Sequence, residues 1–395
     1  MMKYGGHTMN NFTFHNPVAI HFGKGSIEKL NTILKEYGNN VLLVYGGGSI
    51  KKNGLYDAVY AQLDGFNVVE LAGVNPNPRI ESVREGVKLC REHNVDVILA
   101  VGGGSTIDCS KAIAGATFYE KDAWDIVKKA SLISKALPIV DVLTIAATGS
   151  EMNNSGVITN FETNEKLGFA NPLLYPKASI LDPQWTYSVP KYHTAAGVAD
   201  IMSHTFEQYF NATEGGYFPR ELCHSVLKTC IKYGPVALHD PTNYEARSNI
   251  MWAATIGLNG LIGCGIGKSW SCHPMEHALS AYFDVTHGIG LAVLTPSWMR
   301  YILNEDTVVR FVEYGVNVWG IDPLKDKFEI AKEAIDKTAE FFFTTLEIPS
   351  TLHEIGIDAK FDEMAQEAVD SKGGKINGYK PLLKEDVLQI FDMCK

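Results

Sequence analysis

A chain of 395 residues is longer than one hydrophobic core accommodates, so two domains of about 150–200 residues each are expected. The composition, 46% apolar and 20% charged, excludes a disordered chain, and a formal charge of −10 with scattered Lys and Arg argues against a nucleic-acid partner. Seven cysteines without a Cys-x-x-Cys pair argue against a disulfide scaffold or a thiolate zinc site and point to a reducing cytoplasm.

Residues 1–8 read as a leader ahead of a further methionine, Met9, without the basic-then-apolar pattern of a secretory signal. From about residue 17 to 182, short β-rich runs alternate with amphipathic stretches. Strands are expected at 19–22, 41–45, 68–71, 97–101, 139–143 and 179–181, with helices at 26–37, 54–63, 80–93 and 105–116. This alternation implies a mostly parallel sheet covered on both faces. Residues 155–170 break the rhythm and read as a β-hairpin beside the sheet. After Asp182-Pro183 helical periodicity takes over, at 192–209, 219–232, 244–258, 309–316 and 327–346. The boundary is therefore expected near residue 184, with an α/β domain over 9–184 and a helical domain over 185–395. Residues 248–267 carry no charge, but Ser248, Asn249, Asn259 and five glycines make them a buried helix entering a Gly-rich turn, and no membrane span is expected.

Two glycine turns follow apolar strands. Residues 97–101 lead into Gly102, Gly103, Gly104 and Ser105, and a helical pattern follows at once. Glycines let a ligand approach the backbone, and the unpaired N–H groups of a first helical turn attract a pyrophosphate. The turn lacks the G-x-G-x-x-G spacing, so a plain tight turn is the alternative. Gly46, Gly47, Gly48 and Ser49 follow the strand at 41–45 in the same manner. That strand end has no carboxylate for a ribose hydroxyl, and Lys51 and Lys52 lie close by, which favours NADP(H) over NAD(H) unless the lysines are simply surface residues.

In the helical half, Asp200 and His204 are four residues apart and share a helix face, and His273, His277 and His287 fall within 15 residues. One carboxylate with several imidazoles suits Fe²⁺ or Zn²⁺. Each pair alone is compatible with an ordinary polar helix face, and the combination favours a metal.

These motifs resemble the iron-containing (group III) alcohol dehydrogenases, in particular the butanol-dehydrogenase-like and NADPH-dependent aldehyde reductase branch. The resemblance runs from Met9 and rests on Phe22-Gly23-Lys24-Gly25, the Gly46 turn, Asn75-Pro76-Asn77-Pro78, residues 102–108, Ala147-Thr148-Gly149-Ser150-Glu151, Asp200, His204, Trp252-Ala253-Ala254-Thr255 and the three later histidines. It implies metal ligands at Asp200, His204, His273 and His287, with His277 a further histidine near the metal. It implies a pyrophosphate turn at Gly102–Ser105 with Asp108 just beyond, cofactor-lining positions at Thr144 and Thr148, and a hairpin lysine, Lys166, near the cofactor. The implied fold is a Rossmann-like dinucleotide-binding domain followed by an all-helical domain, in the dehydroquinate-synthase-like architecture, with the active site in the cleft between them. Homodimers are common in the family.

The function expected is hydride transfer between NAD(P)H and a small alcohol–aldehyde pair such as butanol and butyraldehyde, assisted by a Lewis-acid metal. His277 is the candidate proton relay, with support of the metal site as its alternative role. Cys272 is either a buried small residue or an oxidation-sensitive thiol. The rivals are a polyol dehydrogenase or a lyase on the same scaffold, and a catalytically silent nucleotide-binding protein.

Overall fold

In the computed structural model, which describes residues 9–395, the apolar runs of the first half pair into one six-stranded sheet. Its strands are β1 (Ala19–Phe22), β2 (Asn40–Tyr45), β3 (Asn67–Leu71), β4 (Val97–Gly102), β5 (Ile139–Leu143) and β8 (Ala178–Leu181), in the order β1-β8-β5-β4-β2-β3 and all parallel. β6 (Ser155–Asn160) and β7 (Glu165–Ala170) form the separate antiparallel hairpin. The leader reading of residues 1–8 lies outside the described residues.

Both faces of the sheet are covered, which explains why β2 and β4 read as unbroken apolar runs. Leu42, Val44 and Ile98 pack with Val83, Val87 and Ile113 from the helices Ile80–Glu92 and Gly104–Ala116. Val41, Leu43, Val97 and Leu99 point the other way, against Leu30, Leu34, Leu55 and Val59. Consecutive side chains of a strand alternate between faces, so one run supplies two cores. The chain steps outward from β2 to β3, then returns to lay β4 on the other side of β2. That reversal aligns the carboxyl ends of β2, β4 and β5, the place where doubly wound sheets bind ligands.

The chain divides into two compact units. One holds His15–Lys191 and Asp240–Thr255; the other holds the described residues up to Phe14 together with Tyr192–His239 and Ile256–Lys395. A single cut near residue 184 therefore does not describe the whole path, because residues 240–255 count with the α/β unit. Two contacts account for this return: Met251 packs with Ala100, Ile107, Leu143 and Leu181, and Thr255 Oγ1 donates to Glu151 Oε1 at 2.5 Å. The other unit is helical, built on Lys191–Tyr209, Tyr217–His239, Cys272–Phe283, His287–Ile302, Val308–Trp319, Lys327–Glu340, Phe361–Asp370 and Lys384–Met393. Among the described residues no helix is long and apolar enough to cross a membrane.

Candidate active site

Three helices of the helical unit bring four polar side chains together. Asp200 and His204 lie one turn apart on Lys191–Tyr209, His273 is in the first turn of Cys272–Phe283, and His287 opens His287–Ile302. Ligand-type atoms of the four all lie within 4.8 Å of one another. Asp200 Oδ1 is 3.6 Å from His204 Nε2 and 3.7 Å from His287 Nε2, too long for hydrogen bonds. The His204 and His273 rings stack with centroids 4.7 Å apart.

The arrangement fits a cation. His273 Nε2 and His204 Nδ1 are buried with no hydrogen-bond partner among the described residues, and an unpaired buried polar atom costs about 1–3 kcal/mol. A metal facing His273 Nε2 would satisfy that atom. Burial and the neighbouring His273 and His287 rings hold the His204 pKa well below its ordinary value, leaving the imidazole neutral, as metal ligation requires. One carboxylate with three imidazoles is a donor set for Fe²⁺ or Zn²⁺.

Local sequence explains how the histidines converge. Pro274 sits in the first turn of its helix, where a missing N–H costs nothing. That helix stops at Asp284, which takes the left-handed conformation (φ 52°), and the next helix begins at His287. Gly288 lets this helix meet the backbone of Ala196, one turn before Asp200, and Gly290 leaves room for the Glu276 side chain.

Two acidic residues that sequence patterning did not single out complete the centre. Glu207 and Glu276 are fully buried. Glu207 Oε2 accepts from His273 Nδ1, and Glu276 Oε2 accepts from His287 Nδ1. A proton held on Nδ1 leaves Nε2 of each ring as the lone-pair nitrogen. Burial opposes protonation of His273, yet the Glu207 carboxylate reverses the balance and its net pKa shift is upward. The spacing held a signal: Glu207 is seven residues after Asp200 and three after His204, and Glu276 is three after His273.

His277 stands beside the four-residue cluster, with its ring centroid 6.0 Å from that of His273 and 5.7 Å from that of His287. It is half-buried and groups with Glu276 and His287. Cys272 is buried, and burial, with Glu207 adding to it, pushes its thiol pKa well above the ordinary value, which disfavours the reactive thiolate.

In the α/β unit, Gly102 ends β4 and Gly104 opens a 13-residue helix. A side chain at 102, 103 or 104 would overlap Thr106, Ile145 or Thr148 respectively, so these glycines are fixed by close packing. Thr144 lies at the end of β5, where its N–H donates to Gly102 O at 3.0 Å, and Thr148 rests on Gly104. Gly46 follows the end of β2, near Thr106, while nothing lies within 4 Å of where a side chain on Gly47 or Gly48 would begin. The three strand ends thus converge as a dinucleotide site requires.

Other expected cofactor residues are more committed to the protein. The Ser105 hydroxyl donates to Pro76 O. Asp108 accepts from Ser150 Oγ at 2.5 Å and from Val157 N–H at 2.9 Å, tying the helix to the hairpin. Lys166 is buried on β7 opposite Thr159. Lys51 Nζ lies over the Tyr45 and Tyr56 rings, 5.2 and 4.5 Å from their centroids, while Lys52 is exposed beyond Ser49. Glu70, on β3 next to β2, accepts from the hydroxyls of Tyr45, Tyr56 and Tyr60. Patterning also missed Lys111, which donates from its buried ammonium to Ser150, Asn153 and Ser155. Burial lowers its pKa to about 8, although Asp108, Asp141 and Glu151 oppose the shift.

Comparison with known proteins accords with this geometry. Residues 17–183 match the iron-containing alcohol dehydrogenases, and residues 194–394 match the C-terminal region of the Fe-containing alcohol dehydrogenase family. NADH-dependent butanol dehydrogenase A of Clostridium acetobutylicum is 54% identical, over 97% of this chain and 99% of that protein. NADPH-dependent aldehyde reductase YqhD of Escherichia coli is 39% identical, over 89% of this chain and 90% of that one. The crystal structure of NADH-dependent butanol dehydrogenase A from Thermotoga maritima superposes with a TM-score of 0.94 at 38% identity, covering 98% of this chain and 100% of the other.

Proposed function

The chain belongs to the iron-containing alcohol dehydrogenase family, and we propose that it interconverts butyraldehyde and butanol, or a similar small pair, at a metal held by Asp200, His204, His273 and His287. NAD(P)-dependent oxidation of alcohols and reduction of aldehydes is the reaction class of this family. The observation that carries the assignment of residues is the convergence of those four side chains within 4.8 Å, with His273 Nε2 buried and unpartnered.

The chemistry supplied by Fe²⁺ or Zn²⁺ there is Lewis acidity toward the substrate oxygen, polarising the aldehyde carbonyl or lowering the pKa of the alcohol. Asp200 is the one carboxylate among the proposed ligands, and Glu207 and Glu276 accept from Nδ1 of His273 and His287, leaving their Nε2 atoms for the metal. The Gly102–Ser105 turn would receive the pyrophosphate, with Thr144 and Thr148 lining the cofactor, which would supply or accept the hydride exchanged with the substrate carbon. In reduction the substrate gains that hydride and one proton, which His277 delivers from a ring nitrogen.

Both NAD(H) and NADP(H) fit the Gly46–Ser49 turn. The turn itself carries no carboxylate to engage a ribose hydroxyl, and Glu70 on β3 accepts from three tyrosine hydroxyls. Of the two lysines that favoured a 2′-phosphate, Lys51 is drawn onto tyrosine rings, leaving Lys52. A cytoplasmic homodimer belongs to the same proposal. Seven free cysteines support a reducing compartment, and the open edge of β1 with exposed Phe22 and Trp252 supports self-association.

The test is loss of reduced-nicotinamide absorbance with butyraldehyde, using NADPH and then NADH, on metal-stripped protein reloaded anaerobically with Fe²⁺ or Zn²⁺. Metal-dependent, stoichiometric cofactor oxidation is expected. Preference for glycerol-type polyols would favour the polyol reading, and turnover without net cofactor consumption would favour a lyase.

A further inference from the structure

Glu207 is placed to do more than orient one ring. The helix Cys272–Phe283 begins at Ser271, whose side chain makes no capping hydrogen bond. The N–H groups of a first helical turn need an acceptor from elsewhere, and here it comes from another helix. Glu207 Oε1 accepts from the N–H groups of Ser271, Cys272 and, at 3.4 Å, His273, while Oε2 accepts from His273 Nδ1. The same glutamate stands on Lys191–Tyr209, the helix that carries Asp200 and His204. Nearby, Ser269 N–H donates to the Glu207 carbonyl at 3.0 Å and Ser269 Oγ to Phe210 O at 2.9 Å, lacing the strand of chain before His273 to the same helix end.

We infer that Glu207 is a positioning residue whose one carboxylate joins the two ligand-bearing helices, so that retention of the metal and closure of the Cys272–Phe283 helix start are one event. The inference rests on the metal-site assignment above. Glu276 supplies an internal contrast. Its Oε2 orients His287, and its Oε1 accepts from Ser280 Oγ on its own helix rather than from the start of the Cys272–Phe283 helix, where the acceptor is Glu207. Glutamine at 207 keeps the shape and loses the function. An amide has one acceptor oxygen and a donating nitrogen, which then faces either His273 Nδ1–H or the three N–H groups.

The experiment uses the full chain loaded with Co²⁺ as the probe, comparing wild type, Glu207→Gln and Glu276→Gln. Competition against a chelator is expected to show about 10–100-fold weaker Co²⁺ binding in both variants. Amide hydrogen exchange separates them. With Co²⁺ saturating, residues 271–273 are expected to exchange about fivefold faster in Glu207→Gln, the equivalent of a lost helix cap, and unchanged in Glu276→Gln. Wild-type Co²⁺ affinity in Glu207→Gln, or equal exchange at 271–273 in the two variants, overturns the inference. If Glu207→Gln fails to fold, Glu207→Asp carries the test: it keeps the charge but is too short to reach both partners, so Co²⁺ affinity falls, and unchanged affinity overturns the inference. Asp200→Ala and His204→Ala tell the two readings apart. Their retaining Co²⁺ at wild-type affinity overturns the metal assignment and this inference with it. Their losing Co²⁺ while Glu207→Gln keeps it overturns the inference alone.

Discussion

A side chain on Gly288 would overlap the carbonyl oxygen of Ala196, so the helix that begins at His287 touches the backbone of the helix carrying Asp200. Gly288→Ala is expected to push these helices apart and lower stability by about 1–3 kcal/mol, the range for overpacking. It should also carry His287 away from Asp200 and weaken metal binding. Denaturant unfolding and metal content measure both. Gly47→Ala is the stability control, since its added methyl meets nothing within 4 Å.

A methyl on Gly104 would overlap the Thr148 hydroxyl and lie 2.9 Å from Thr148 Cβ. Gly104→Ala is therefore expected to raise KM for the nucleotide with a smaller change in KM for butyraldehyde. Adding Thr148→Ala removes the two closest atoms, the hydroxyl and the methyl, while Cβ stays, and should recover part of the loss, a non-additivity that a double-mutant cycle reads directly. Additive effects would place the damage elsewhere.

Burial drives the Asp141 carboxyl well above its ordinary pKa, with Glu151 adding to the shift and the Ser179 hydroxyl opposing it. The folded chain therefore holds a proton on Asp141 at pH values where the unfolded chain has released it. Stability contributed by this group is full below the unfolded value of 3.8 and is lost as pH rises toward the folded value. Asp141→Asn keeps an acceptor for Ser179 Oγ, which donates at 2.7 Å, and removes the titration. Its stability relative to wild type is expected to grow as pH rises above about 4. Parallel unfolding curves at each pH would contradict this.

His277→Ala separates proton transfer from support of the metal centre. A relay predicts a loss in turnover of about 10²-fold or more and the disappearance of one limb of the pH profile, with metal content intact. Turnover unchanged across the pH range would exclude the relay. Loss restored by added metal would assign His277 to support of the centre instead.

The parallel sheet was legible because burial on two faces imposes a pattern that few other structures share. The runs at 41–45 and 97–101 lie within Asn40–Tyr45 and Val97–Gly102. Helix ends were less legible. The stretch at 26–37 is a 3₁₀ turn, Ser26–Lys29, followed by Leu30–Lys35, and Pro235 does not end Tyr217–His239. The stretch at 327–346 closes with a wider turn at Phe341–Thr345. At the candidate metal site, local spacing singled out Asp200, His204, His273, His277 and His287, and the family resemblance narrowed these to Asp200, His204, His273 and His287. For Glu207 spacing shows only a place on the Asp200–His204 helix face; its partner His273 is 66 residues away, and packing makes them neighbours. Lys51 shows the converse, since the rings that draw it in come from β2 and from residue 56 on the following helix.

The most direct measurement is an anaerobic titration of metal-free protein with Fe²⁺ while NADH or NADPH consumption by butyraldehyde is followed. The account predicts no turnover at the start, a linear rise to one Fe²⁺ per chain, and no rise in His287→Ala over the same range. Full activity in metal-free protein, or a response to Fe²⁺ that His287→Ala shares, would contradict it.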